Sequence, residues 1–226
     1  MKRVLLSSLF LLFLISNSVF AQTGIRFGMK AGYNLAMQYG TIPPDINYEV
    51  DSDSRHGFTG GILLFFPITE AFGVQQEFLY VNKGSVQHVD LTEPPVRTTS
   101  DYKINYFELP ILFKYTFAHL GPVGIFGSSG FTLSMLLNGK YAVTGDIDID
   151  GTLVNFSQSG DTEGLDIFDY SFIYGLGVKF PLFNRDWFFD YRQTIGWNTL
   201  NMPTFEGEDP APLRNQSYAF TLGLIF

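Results

Sequence analysis

The chain of 226 residues contains no cysteine. This absence excludes a disulfide framework, a thiolate metal site and lipid attachment through an N-terminal cysteine. Charged residues are also scarce, at 16% of the sequence. After residue 21 the sequence never reaches the run of about 18 apolar residues that predicts a transmembrane helix. What the sequence does contain is 24 phenylalanines, 12 tyrosines and 23 glycines, a composition that favours strands and turns.

The N-terminal residues have the pattern of a secretory signal. Lys2 and Arg3 form a basic start, an apolar run follows, and Ala21 closes a small-residue cleavage site. This pattern predicts a signal peptide over residues 1–21 and a mature domain over residues 22–226.

The mature chain is acidic. Removal of the signal takes away two of the 14 basic residues and none of the 22 acidic ones, so the net charge becomes 12 − 22 = −10. Nucleic-acid binding requires a basic surface, so the charge excludes nucleic acid as an expected partner.

The alternation of side chains indicates strands whose apolar face points outward and whose polar face points inward. In residues 216–226 a bulky apolar face alternates with a small or polar face, as successive residues of a strand do. The first segment, residues 24–35, sets an apolar face against a face that carries Arg26 and Lys30. A soluble core would lose several kcal/mol for each unpaired charge. Turning the apolar face to lipid and the charged face to a lumen removes that cost.

Eight such segments follow one another, joined by connections that alternate strictly between short and long. We therefore predict an all-β fold, an eight-stranded antiparallel up-and-down transmembrane β-barrel with both termini in the periplasm and four long external loops. The segments are 24–35, 55–66, 72–86, 101–117, 121–137, 168–180, 187–195 and 216–226, and the long polar connections are 36–54, 87–100, 138–167 and 196–215.

The fourth segment alternates in two phases. Ile104 and Tyr106 share one parity, whereas the apolar residues from Leu109 onward share the other. A β-bulge next to Pro110 would produce such a phase change, because proline cannot donate to the ladder. This expectation leaves the direction of Glu108 open.

Several motifs carry a family resemblance over nearly all of the mature chain. They are residues 28–35 (GMKAGYNL), 76–84 (QEFLYVNKG), 105–115 (NYFELPILFKY), 174–178 (YGLGV), 190–192 (DYR) and the terminal Phe226. In these motifs the chain resembles the PorT-like outer-membrane β-barrel proteins. The resemblance implies an eight-stranded barrel in the outer membrane of a Gram-negative bacterium, and it brings no catalytic motif. A named member is associated with protein secretion, and Phe226 resembles the terminal aromatic by which such barrels are recognised for assembly.

The lumen of the predicted barrel would hold a network of charges. One interpretation makes these residues a binding or conducting site, and the other makes them a salt-bridged filling. Eight strands leave just enough interior space for side chains, which favours the filling. The residues are Arg26, Lys30, Glu77, Glu108, Lys114, Lys179, Asp190 and Arg192.

The sequence offers few candidates for catalysis or for a metal. Its three histidines are His56, His88 and His119, and the predicted topology puts His119 at the opposite membrane face from the other two. We therefore assign no catalytic residue, no cofactor and no metal ligand. Asp146 and Asp148 alternate with isoleucine, but the glycine and distal glutamate of an EF-hand loop are absent. This alternation is more typical of a strand that projects above the membrane with an acidic face.

The predicted function is that of a non-enzymatic outer-membrane protein, structural or interacting with other molecules at the surface as a receptor, an adhesin or a secretion-associated protein. We expect a monomer whose partners are membrane lipid and an extracellular or envelope protein bound by the loops. A barrel enzyme acting on lipid or peptide through His56 or His88 remains an alternative. A soluble lipocalin-like carrier is the other, although the charges of the first strand oppose it. Apolar residues among the polar loops are Ile42, Pro43, Pro44, Tyr48, Leu91, Pro94, Pro95, Met202, Pro203 and Phe205.

Overall fold

The computed structural model describes residues 24–40, 48–92, 95–149, 152–162, 165–198, 200–201 and 212–226. The predicted signal peptide lies outside these ranges. The strands are β1 (Arg26–Gly40), β2 (Tyr48–Pro67), β3 (Phe72–Thr92), β4 (Pro95–Leu120), β5 (Val123–Ile149), β6 (Thr152–Asp161), β7 (Phe168–Leu182), β8 (Arg185–Gly196), β9 (Leu200–Asn201) and β10 (Pro212–Ile225). Within this part of the chain, no helix is long and apolar enough to cross a membrane.

Eight of these strands form a closed ring. Neighbours pair antiparallel in the order β1-β2-β3-β4-β5-β7-β8-β10, and β10 pairs back onto β1. The closing ladder is long, running from Gly28 opposite Ile225 to Gly40 opposite Leu213. Closure removes the unpaired edges that an open sheet would expose. The predicted eight-stranded up-and-down barrel is confirmed, and β6 and β9 lie outside the ring.

The two faces of the barrel wall differ as the sequence predicted. Outward residues are apolar and exposed, and Leu176 and Phe131 keep 59% and 50% of their surface accessible. Inward residues are polar and buried, and Glu77 and Asp190 have no accessible surface. An apolar belt around a polar interior is the arrangement that a bilayer requires of a barrel.

The long connections contain more strand than the sequence suggested. Residues 87–92 and 95–100 belong to β3 and β4 and pair antiparallel, so the predicted loop over 87–100 is wrong for these residues. The predicted connection over 138–167 likewise begins as β5, including the Asp-Ile alternation, and returns as β6. Polar residues misled the loop assignment, because an extension above the membrane can be hydrated on both faces.

These extensions form a second structural unit. The pairing of β1 with β2 stops at Ala36 opposite Arg55, whereas β2, β3, β4, β5 and β6 continue to pair beyond that level. We call residues 48–54, 85–92, 95–103, 140–149 and 152–161 the projecting sheet. It lies at the opposite end of the barrel from the short turns.

The expected bulge next to Pro110 is wrong. Tyr106, Glu108 and Pro110 are all buried on the inner face, so β4 keeps one phase there. The pattern misled because Tyr106 is an aromatic residue that points inward. The irregularities of the β4–β5 ladder lie at Leu137 and Phe117, which have no partner in the register of this ladder. Pro110 interrupts the ladder with β3 without shifting it, as expected of a residue that lacks an N–H group.

The closing ladder generates a prediction. Gly32 lies opposite Thr221, and a Cβ atom there would overlap the backbone of Phe220. Gly32→Val should therefore hinder closure and reduce the fraction of protein that shows heat-modifiable migration on a gel. Ala31→Val is the matched control, because Ala31 is exposed on the outer face of the same strand. Equal folded fractions in the two variants would contradict the assigned seam.

Candidate functional site

The centre of the lumen is an ion-pair network, which we call the lower cluster: Lys30, Glu77, Asp190 and Arg192. Arg192 donates to both carboxylate oxygens of Glu77, at 2.7 and 2.8 Å. It also donates to Asp190 from Nε at 2.9 Å and from Nη2 at 2.6 Å. Lys30 Nζ lies 3.6 Å from an oxygen of each carboxylate. No side chain of this cluster is more than 4% exposed.

The topology explains why this network spans the barrel. Glu77 belongs to β3 and Arg192 to β8, and in the ring three strands separate them in either direction. The two side chains therefore come from opposite walls and meet in the middle. Their bidentate geometry is the strong form of the arginine–carboxylate interaction.

Lys114 extends the lower cluster toward the short turns. Its Nζ donates to Gln75 at 3.2 Å, and the Gln75 amide donates in turn to Glu77. The same ammonium lies 3.9 Å from the ring centre of Phe126 and 4.6 Å from that of Phe188. Aromatic faces attract a cation electrostatically, so these rings stabilise a charge to which the structure gives no carboxylate contact within the described residues.

A second group of charges, the upper cluster, consists of Lys83, Glu108 and Asp169. Lys83 Nζ lies 2.6 Å from Glu108 and 3.8 Å from Asp169. Ser134 donates to Glu108 at 3.0 Å, and Asn215 donates to Asp169 at 2.9 Å. Both carboxylates thus accept hydrogen bonds besides their contact with the lysine, as buried charges require.

The formal charges of the two clusters balance each other. The lower cluster with Lys114 has three basic and two acidic side chains, and the upper cluster has one basic and two acidic ones. Together they contain four positive and four negative groups when each is counted at unit charge. The two clusters together therefore have no net formal charge.

Apolar side chains close the interior at both ends. Toward the short turns, Leu63, Phe126, Phe188 and Ile225 form a buried group. At the other end Ile104 and Tyr106 pack with Leu165, which belongs to the connection between β6 and β7. The cavity lined by members of both clusters measures about 20 Å³, which is room for about one water molecule. This lumen is packed and does not form a wide aqueous channel through the described residues.

The structure brings together six of the eight lumen residues singled out from the sequence, in two clusters and not in one. Glu108 points inward into the upper cluster, which settles its orientation. Arg26 instead pairs with Asp186 at 2.7 Å, with 36% and 46% of the two side chains exposed, at the rim near the short turns. Lys179 lies on the inner face beside Gly124 and belongs to neither cluster.

Sequence reasoning did not include Lys83, Asp169 or Gln75 in the lumen network. The signal was present, because Lys83 is an even number of residues from Glu77 on β3 and so shares its face. Asp169 shares the face of Lys179 on β7 by the same rule. The parity of each whole strand therefore places both residues on the polar inner face.

The histidines do not come together. His56 hydrogen-bonds the hydroxyl of Tyr33 on the outer face of the barrel. His88 lies on the projecting sheet, with Nδ1 3.1 Å from Thr99 Oγ1 and Nε2 3.4 Å from Asp53. His119 is next to a short turn at the other end. In the described ranges, no group of three or more His, Asp or Glu side chains is arranged to hold a metal ion.

The projecting sheet also has a concave region of about 590 Å³. His88, Asp90, Arg97, Asp146 and Phe156 are among its lining residues. Most of the apolar loop residues noted from the sequence, Ile42, Pro43, Pro44, Pro94, Met202, Pro203 and Phe205, lie outside the described residues.

A closed ring with an apolar belt and a polar, packed interior defines a transmembrane β-barrel. The chain belongs to the family described as outer membrane protein beta-barrel domain, whose model matches residues 20–200. Its location is accordingly the outer membrane. No curated protein sequence matches the chain.

Solved structures with a similar chain path have low sequence identity. Neisserial surface protein A is 14% identical, with 90% of this chain and 99% of that chain covered and a TM-score of 0.46. OprG from Pseudomonas aeruginosa is 12% identical, covers 89% and 95%, and has a TM-score of 0.47. The outer membrane protease OmpT from Escherichia coli is 9% identical, covers 92% and 97%, and has a TM-score of 0.48. These values transfer no activity to this chain.

The lower cluster generates a prediction about stability. Glu77→Gln leaves Lys30 and Arg192 with Asp190 as the remaining carboxylate contact in their cluster, and breaking a buried pair costs about 3–5 kcal/mol. Asp186→Asn is the matched control, because its partly exposed pair with Arg26 should contribute less than about 1 kcal/mol. Guanidinium unfolding of the protein in lipid vesicles, followed by tryptophan fluorescence, measures both losses. Similar losses would show that the central network does not hold the barrel together.

Proposed function

We propose that this protein is a non-enzymatic surface-interaction protein, in which the barrel is an inert anchor and the projecting sheet makes the functional contacts. The observation that carries the proposal is the contrast between the two ends of one molecule. The lumen is filled by compensated charges and closed by apolar side chains. Beyond it, five strands extend outward, and side chains such as Asp90, Arg97 and Leu153 are exposed on them.

The filled lumen supports a scaffolding role for its charges. A conducting or ligand-binding interior would need accessible space or a side chain aimed into such space. The charged side chains within each cluster form ion pairs with one another. One of these pairs joins opposite walls of the barrel. We therefore propose that these residues lock the narrow barrel, and that the monomer is the functional unit because the closed ring leaves no open edge within its apolar belt.

The projecting sheet has the chemistry of a contact surface. It presents apolar side chains on β6 together with charged ones such as Asp90 and Arg97, which are 67% and 84% exposed. Loops and extensions on a rigid scaffold are where binding residues concentrate. The motifs shared with PorT-like proteins support membership of that group, and a receptor, an adhesin and a secretion-associated protein all agree with this surface.

A trimmed barrel tests the proposal. Asn-Gly turns joining Val86 to Asp101 and Lys140 to Asp161 would remove the upper parts of two hairpins at residues that lie opposite each other. The trimmed protein should keep its heat-modifiable migration, because the barrel ladders are untouched. It should fail to restore surface attachment and protein secretion in a strain that lacks the gene. Full restoration by the trimmed barrel would place the function in the barrel and refute the proposal.

One observation favours a second candidate, a surface hydrolase. Thr99, His88 and Asp53 follow one another as a nucleophile, a base and an orienting carboxylate would, because His88 contacts both of the others. His88 and Thr99 line the concave region. His88 and Asp53 are 42% and 67% exposed, so the group lacks the water-excluding surroundings that such chemistry uses.

Substitution of the histidine decides between the two candidates. If the chain is not an enzyme, purified protein with His88→Ala should match the unmodified protein in every ester and peptide hydrolysis assay. His56→Ala is the control, since His56 contacts Tyr33 away from Thr99 and Asp53. Loss of a measurable hydrolytic rate in the His88 variant alone would establish the hydrolase instead.

A further inference from the structure

Strand β6 is the edge of the projecting sheet. It pairs antiparallel with β5 from Lys140 opposite Asp161 to Ile149 opposite Thr152, and no other described strand pairs with it. Almost every residue of β6 is exposed. The backbone N–H and C=O groups that point away from β5 therefore have no strand partner within the described part of the chain.

This edge lacks the features by which proteins usually protect an open strand. Lysine, proline, inward-pointing charges and bulges discourage the addition of another strand. Residues 152–160 contain no charged residue and no proline, and the register with β5 is continuous. The opposite edge of the sheet, residues 48–54 of β2, differs because its sequence contains three acidic residues.

Side chains of β6 add an apolar contact to the free backbone. Leu153 is 70% exposed, and Val154 and Phe156 are 43% and 39% exposed. Val154 and Phe156 share one face of the strand, because residues two apart do so. A strand added beside β6 could place its own apolar side chains next to them, as cross-strand neighbours in a sheet do.

We propose that β6 binds an extended, basic segment of another polypeptide by antiparallel strand addition. Main-chain hydrogen bonds would supply the affinity, and alternate side chains would supply the specificity. The basic character follows from the net acidity of the two strands at this edge, because Asp146, Asp148 and Asp161 outnumber Lys140, the one basic residue in 140–149 and 152–161. The inference rests on the proposed function, since it names how the projecting sheet makes its contact.

A second copy of this chain in the same membrane does not fit the edge. All copies insert with the same orientation, so their β6 strands run in the same direction. Antiparallel pairing of two such strands is thereby excluded, and parallel pairing is the less stable form. A segment of a different protein can approach in either direction, which makes it the better occupant.

A peptide-binding measurement tests the inference directly. The probe is a fluorescent peptide of the length of β6, with alternating threonine and valine and a lysine at each end. It should bind the full-length protein in lipid nanodiscs, as read by fluorescence anisotropy. The same peptide with every backbone nitrogen methylated should not bind, because it cannot donate hydrogen bonds. Equal binding of the two peptides, or no binding of the first, would overturn the proposal.

Paired variants locate the binding site. Val154→Lys with Phe156→Lys should weaken binding of the probe by about tenfold or more, since lysine on an edge opposes strand addition. Ser52→Lys with Ser54→Lys adds the same charge to the other edge of the sheet and should change the affinity by no more than about twofold. Heat-modifiable migration checks that both variants fold. Equal weakening in the two variants would assign the effect to charge alone and refute the site.

Further experiments test the choice of partner and separate this inference from the proposed function. Because the chain has no cysteine, Ser157→Cys gives a single site for crosslinking, and β6–β6 disulfides between copies would overturn the choice of partner. If the trimmed barrel fails in the deletion strain while the Val154 and Phe156 double variant restores it fully, the projecting sheet is functional and the β6 inference is wrong. If both restore the strain, both proposals fail.

Discussion

The contact between Arg192 and Glu77 crosses the barrel from one wall to the opposite one, and the other features of the interior are arranged around it. Lipid outside forces the apolar face of every strand outward, so the polar faces must meet in a space that is too narrow for bulk water. Charges buried there are tolerated only as members of a satisfied network. Lys30 and Asp190 complete that network, and Gln75 links it to Lys114.

The packed interior determines where the molecule can act. Its two clusters hold equal numbers of acids and bases, apolar groups lie at both ends, and the described residues leave no space in the lumen for a wide transport pathway. The projecting sheet is freed from these restrictions because it lies beyond the apolar belt. It therefore can expose the edge of β6, which a strand inside the membrane could not do without leaving backbone groups unpaired in lipid.

Parts of this arrangement are predictable from the sequence and parts are not. Period-two alternation identifies the eight strands, and the positions of Lys30, Glu77 and Arg192 on the polar parity identify them as interior residues. The same rule would have found Lys83 and Asp169. It failed at Tyr106, because a large inward aromatic has the pattern of an outward one. It also failed over residues 87–92 and 95–100, because polar strands that project beyond the apolar belt resemble loops in their sequence.

By itself the sequence determined a barrel with an apolar outer face and a polar interior. The number of segments with alternating apolar and polar residues, together with the absence of a helical span, admits few other folds. The tertiary structure alone decided which charges pair, since Glu77 and Arg192 are far apart in the chain and meet only after the ring has closed. It also decided that β6 is an edge. Pairing partners depend on register and on the level at which each neighbouring strand ends, and no local pattern in a single strand encodes either.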